Sequence, residues 1–474
     1  MEFYGTQLEI MLVLLGVAGL LVNAFLPRVS PRLIGGLMAI SVGAVLVYSF
    51  LLQPAPEPLF GGFYRMDASA LFFKRLLLAG TCLALVLAME SEAIRAEGTE
   101  FFALMTFASA GMLMLASVNE FVCLFVALEL VTLCFYVLNS FLNRDVVVLE
   151  AGLKYWVMGA ISASLTAYGI GYIYGATGQT QFDAVRAALA AGGGTTGAYG
   201  FGSTLVLLGL GFKLAMVPFQ VWAPDVYQGA PTPASAFLAS CSKVAGFVLL
   251  LRLVGAGLLP YGSSGLTLMV WLAGLTLLYG TLGALAQTDL KRLLGYSSIA
   301  HAGFLLMGLV VGTAPGRVAL AYYLTQYLFT VLCAFLVIST VAKATGRTGR
   351  ATLDGLYRRS PVLALALFMA MMSLAGVPPL SGALGKFFIL LALVKQGGSA
   401  FYVLAVLGAL ASVISLFFYI GVIKAAFVAA DGGEPAIPVS LPTRLAIGLC
   451  MAVMLGLGIW PQPLMELLRG IFGN

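Results

Sequence analysis

Long apolar stretches separated by short polar turns run through nearly the whole of this 474-residue chain. About 20 apolar residues cross a bilayer as one helix. Runs of that kind fall at roughly 8–26, 32–52, 68–89, 101–118, 120–141, 149–174, 201–221, 232–257, 264–286, 291–312, 316–342, 360–396, 401–427 and 443–461. The pattern predicts an all-α polytopic membrane protein with about 14 transmembrane helices. The first run is long enough to span, and the residues around it lack the layout of a cleaved leader, so it reads as a retained helix.

Two runs carry breakers. The seventh reads Gly209-Leu-Gly-Phe-Lys213-Leu-Ala-Met-Val-Pro218, and proline removes a backbone donor and clashes with the preceding turn. The twelfth contains Gly376-Val-Pro378-Pro379-Leu-Ser381-Gly382 followed by Lys386, and is too long for one straight crossing. Broken helices 7 and 12 lie five spans apart, so they run in opposite directions. Discontinuous helices so placed, each with a lysine nearby, predict an inverted repeat.

Composition narrows the class. The chain is 61% hydrophobic and 9% charged, with a mean hydropathy of +1.03, which excludes an ordinary soluble domain. Its formal net charge of +6 does not point to nucleic acid, because the basic residues follow topology. With the amino terminus outside, the inner loops carry Arg28, Arg32, Arg95, Arg144, Lys291, Arg292, Lys343, Arg347, Arg350, Arg358, Arg359, Lys424 and Arg444. The outer side then has Arg65, Arg186, Arg252, Arg317, Lys395 and Arg469, with Lys74 and Arg75 at the start of the third helix. The excess on one side obeys the positive-inside rule and predicts both termini on the outer face. The Gly-rich stretch from Ala191 to Gly200 lacks the Lys-Ser/Thr of a phosphate loop and reads as a flexible external loop. Thr288 and Asp289 read as a helix start. Six cysteines lie in apolar runs with no CxxC, and there is one histidine, so neither an iron–sulfur, haem nor multi-histidine metal site is expected.

Four lysines stand out against this background. Lys154, Lys213, Lys243 and Lys386 fall inside apolar runs, where an ammonium costs a few kcal/mol or more. Such groups pair with carboxylates or face a wet interior, and mark ion or proton paths. Glu129, near the middle of the fifth span, and Glu150, four residues before Lys154, are candidate partners. Lysine suits proton transfer because, unlike arginine, it can release its proton. A static ion pair is the competing reading for Glu129 with Lys213, and a helix-end pair for Glu150 with Lys154. His301 serves equally as an interhelical hydrogen bonder or a proton relay.

These residues sit in segments that resemble the antiporter-like proton-translocating membrane subunits of respiratory complex I, most closely subunit N (the ND2 type). The segments are Gly152-Leu-Lys154-Tyr-Trp, Gly-Phe-Lys213-Leu-Ala-Met-Val-Pro-Phe, Trp222-Ala-Pro-Asp225-Val-Tyr-Gln-Gly-Ala-Pro-Thr-Pro, Ser242-Lys243, Asp289-Leu-Lys-Arg-Leu-Leu-Gly-Tyr296-Ser-Ser-Ile-Ala-His301, and Gly-Val-Pro-Pro with Lys386. The resemblance implies 14 helices with two inverted five-helix repeats, so that 1–100 holds helices 1–3, 101–257 the first repeat (helices 4–8), 264–427 the second (helices 9–13) and 443–474 helix 14. It implies that Glu129 pairs with Lys213, that Lys243 is a central relay and that Lys386 serves the second half-channel, with Glu150, Lys154, His301 and Tyr296 secondary. It implies proton transport driven by quinone reduction elsewhere, with NADH, FMN, iron–sulfur clusters and quinone held by partner subunits and M- and K-type membrane subunits as neighbours. A bacterial inner membrane follows, with both termini periplasmic. Gln220 departs from the family pattern, where a histidine is expected. Two other readings share the fold: a subunit of a multisubunit Na+/H+ antiporter, and part of a related membrane-bound hydrogenase. A structural scaffold without a path is the third.

Overall fold

Polar residues at the turns start the helices. Side chains of Ser30, Asp67, Glu120, Asp145, Asp289 and Ser440 accept hydrogen bonds from backbone N–H groups in the first turns that follow them. The computed structural model describes residues 5–473 apart from 27–28, 56, 143–144, 193–195, 260–261 and 429–434. Regular structure among these residues is helical, with only isolated β-bridges besides. Among the described residues, twelve helices are long and apolar enough to cross a membrane, and Glu100–Leu115 and Pro361–Ala375 are shorter apolar helices. Each predicted run overlaps one of them.

Both predicted breaks are present and share one backbone pattern. The seventh span is Thr196–Leu214, then a non-helical stretch, then Trp222–Gly229. Ala215 turns left-handed (φ 55°), Met216 N bonds to Gly211 O at 2.9 Å, and Phe219 N bonds to Met216 O at 2.8 Å. The twelfth span is Pro361–Ala375 followed by Ser381–Gln396. Gly376 turns left-handed (φ 88°), Val377 N bonds to Met372 O at 3.0 Å, and Leu380 N bonds to Val377 O at 3.3 Å. Matching the two turns sets Ala215 against Gly376 and Pro218 against Pro379. In that register Lys213 precedes its break, whereas Lys386 follows its own.

Small residues bring the lysine-bearing helices close to their neighbours. Thr196–Leu214 lies along Val146–Thr177, where a Cβ on Gly169 would stand 2.7 Å from the Gly202 carbonyl and one on Gly202 would stand 2.8 Å from that of Gly169. Ser162 Oγ bonds across the same seam to Gly209 O at 2.6 Å. The eighth span bulges instead of breaking: a π-helical turn over Leu238–Ser242 delivers directly into Lys243–Gly255.

Several expectations need correction. The helix of the seventh span starts at Thr196, so the predicted loop 191–200 is at least half helical; its residues 193–195 lie outside the described residues. Met1–Phe3, Arg28 and Arg144, used in reading the amino terminus and the orientation, also lie outside them, as does the Arg95 side chain. Lys74, expected at the outer surface, is fully buried and forms a 2.7 Å ion pair with Glu9 of the first helix. Two amphipathic helices, Phe182–Ala190 and Gln462–Phe472, were not anticipated; they are too short and too mixed in character to register as spans.

Candidate functional site

Lys213 lies in the last turn of its half-helix and is 3% exposed. Its ammonium has no hydrogen-bond partner and sits 5.1 Å from the centroid of the Phe135 ring. The expected Glu129 pair is therefore not a direct contact of the Lys213 ammonium. Glu129 is half-buried on its helix, six residues before Phe135. Gln220 is buried within the break, and its Oε1 has no hydrogen-bond partner.

Lys243 is fixed by the tenth span. Its Nζ donates to the Ser298 carbonyl at 2.7 Å and also to Ser298 Oγ. Ser298 Oγ lies 3.1 Å from the hydroxyls of both Tyr227 and Tyr327. The adjacent Ser297 Oγ meets Tyr419 OH at 2.5 Å, and that hydroxyl lies 3.2 Å from His301 Nε2. His301 Nδ1 meets Tyr323 OH at 2.6 Å. All these side chains are buried. Two neighbouring serines thus begin hydroxyl chains that reach Lys243 on one side and His301 on the other.

Lys386 completes the set. Its Nζ donates to the Ala375 carbonyl at 2.8 Å and lies 5.0 Å from the Phe304 centroid. Phe304 stacks on Tyr323 with an interplanar angle of 17°. The arrangement therefore runs Lys243, Ser298, Tyr327, His301, Tyr323, Phe304, Lys386, with the Tyr327 and His301 rings 5.3 Å apart. Hydrogen bonds join Lys243, Ser298, Tyr227 and Tyr327 in one group and Ser297, Tyr419, His301 and Tyr323 in another, while the Phe304 ring, which carries no exchangeable proton, separates Tyr323 from Lys386.

Lys154 belongs elsewhere. Its side chain is 40% exposed and makes 2.6 Å ion pairs with Glu150 and Asp225. Asp225 also accepts from Arg292 at 2.5 Å, so it joins the second half of the broken helix to the sixth and tenth spans. This cluster lies near helix ends, and the helix-end reading of Glu150 and Lys154 describes its geometry. Tyr296 faces Arg292 and Tyr279 rather than His301. Sequence reasoning missed Ser297, Ser298, Tyr227, Tyr323, Tyr327 and Tyr419; a buried serine or tyrosine is too common in apolar helices to signal a role without its contacts.

Residues 118–415 match the family model described as NADH:quinone oxidoreductase/Mrp antiporter, TM. The chain is 36% identical over 472 residues to NADH-quinone oxidoreductase subunit N of Heliobacterium modesticaldum, covering 98% of each. The chain belongs to this family, as an N-type member. A chain of respiratory complex I from Thermus thermophilus superposes with a TM-score of 0.82 at 32% identity, covering 97% of this chain and 98% of that one. A chain of the Mrp complex from Dietzia sp. shares the fold, with a TM-score of 0.85 at 24% identity over 99% of this chain and 52% of that one. The N-type family is one of multi-span membrane proteins, in agreement with the helices described above.

Proposed function

We propose that this chain is a proton-translocating, non-redox membrane subunit of NADH:quinone oxidoreductase. Protons move along Glu129, Lys213, Lys243 and Lys386, with His301 and the serine and tyrosine hydroxyls between them. The observation that carries this is the burial of three lysines at three helix irregularities: Lys213 before one break, Lys243 after the π-turn and Lys386 after the other break. Intramembrane cations at interrupted helices are the usual setting of ion paths.

In this reading NADH, FMN, iron–sulfur clusters and quinone belong to partner subunits, and M- and K-type subunits flank the chain in a bacterial inner membrane. The chain crosses fourteen times, with both termini periplasmic. The two inverted repeats, 101–257 and 264–427, are supported by the matching turns at Ala215 and Gly376. They are supported also by two 32-residue helices, Val146–Thr177 and Ala314–Thr345, each ended by a left-handed glycine, Gly178 or Gly346.

The test is the tagged chain purified in mild detergent. Co-elution of flavin, iron–sulfur absorbance and NADH:quinone activity supports the reading, and pumping by Lys213→Ala or Lys243→Ala complexes at the normal rate overturns the path. The fold shared with the Mrp chain favours one second reading, a cation/proton antiporter subunit. Elution with small membrane proteins alone would select it.

A further inference from the structure

A groove of about 450 Å³ lies beside the first helix, Gln7–Phe25, at the membrane face where that helix starts. Its side-chain oxygens come from Thr6, Glu9 and Tyr64. Away from them the walls turn apolar: along the first helix through Val13 and Leu14, from Val118 back to Ala110 in Glu100–Leu115, and from Cys123 to Leu130 in Phe121–Asn139. That last wall is about two turns long, roughly 11 Å. Ile10, Val13 and Leu14 are 40%, 40% and 61% exposed, so the groove opens sideways onto the bilayer.

The polar end is under-bonded. Glu9 is only 5% exposed. Its Oε1 accepts from Lys74 and from the Tyr64 hydroxyl, both at 2.7 Å, yet its Oε2 has no hydrogen-bond partner. An ionised carboxylate only accepts, and each oxygen has room for donors. Thr6, at the helix start, makes no side-chain capping bond. The first N–H groups of a helix lack partners within it and favour anions. An acceptor for a cation thus stands one turn from donors for an anion, at the mouth of an apolar groove.

We propose that this groove holds one phospholipid with an ethanolamine headgroup. The ammonium donates to Glu9 Oε2, the phosphate accepts from Thr6 and the first-turn N–H groups, and one acyl chain runs past Val13 towards Leu130. A choline headgroup has no N–H and cannot make the first bond. Two turns of a partner helix, about 10–12 Å across, would fill roughly 1000 Å³, more than the groove holds. The lipid ties the first helix to the fourth and fifth spans, and the proposed proton path does not use it.

The experiment places the assembled complex in phosphatidylcholine vesicles doped with an ethanolamine or a choline phospholipid, each bearing the same photoreactive acyl chain, and maps the labelled peptides. Labelling within 10–14 and 110–118 is expected to favour the ethanolamine lipid about tenfold, or about 1.4 kcal/mol, which a hydrogen bond to a charged group supplies. Val13→Trp, which fills the groove from a lipid-facing position, should abolish labelling there by both lipids. Glu9→Leu with Lys74→Met should keep the labelling and lose the preference. Equal labelling by the two lipids in the parent overturns the headgroup pairing. Absence of label from both segments overturns the lipid itself and leaves the groove to a partner subunit. If neither variant is incorporated, the comparison of the two lipids in the parent decides. The readout is labelling rather than pumping, so failure of the proton-path reading would leave it unchanged.

Discussion

The Lys386 ammonium caps the half-helix that precedes it in the chain, donating at 2.8 Å to the carbonyl of Ala375, the last residue of Pro361–Ala375. A helix C-terminus carries partial negative charge and unsatisfied carbonyls. The break thus makes a cation site out of backbone, and the lysine closes the break.

Lys386→Arg separates those roles. Arginine can restore the charge and the bond to the carbonyl, but it does not deprotonate. The complex is expected to assemble and to pump at background rates. Lys386→Ala is expected to lose about 1.5–3 kcal/mol of local stabilisation as well, the usual worth of a hydrogen bond from a charged group. Native gels and vesicle pumping measure the two effects, and an arginine variant that pumps normally would remove Lys386 from the path.

Ser298 holds Lys243 through both its carbonyl and its hydroxyl. Ser298→Ala keeps the carbonyl contact and deletes the hydroxyl that links Lys243 to Tyr227 and Tyr327. A change of about 1.4 kcal/mol corresponds to roughly tenfold in rate. Pumping and coupled turnover should fall by about that factor with the subunit still incorporated. Turnover within twofold of the parent would show that the hydroxyl chain is structural.

Glu9 and Lys74 form a buried pair, with Tyr64 OH bonded to both. Removing one member leaves an uncompensated charge, at a cost of about 3–5 kcal/mol, whereas replacing both by apolar residues is often neutral. Lys74→Met is therefore expected to lower the amount of incorporated subunit sharply, and Glu9→Leu with Lys74→Met to recover it. Thermal inactivation of the detergent-solubilised complex provides the cycle, and equal damage from the single and double variants would refute the coupling.

Lys154 makes two ion pairs yet remains partly in solvent. Exposed pairs contribute about 0–1 kcal/mol. Lys154→Met should assemble with a modest fall in stability, while Asp225→Asn, which weakens the links to both Lys154 and Arg292, should cost more. Melting curves of the two variants test the order; loss of assembly in Lys154→Met would place that residue among the essential interior charges.

The sequence by itself determined the all-helical membrane fold, the family and the two breaks. Those are local properties: apolar run length, the proline defect and motif spacing act over a few residues. It placed Lys213, Lys243 and Lys386 in the interior but not every lysine, because spans that are apolar all round carry no stripe to show which face is covered. Lys74 and Lys154 changed places for that reason, one pairing with Glu9 in the core and the other with Asp225 near the helix ends. The hydroxyl chain was equally hidden. Ser297 and Tyr419 are 122 positions apart, and only packing of the tenth span against the thirteenth brings them together. Tertiary structure decided which polar groups meet, because contact between distant residues is set by how helices pack rather than by the composition of any one of them.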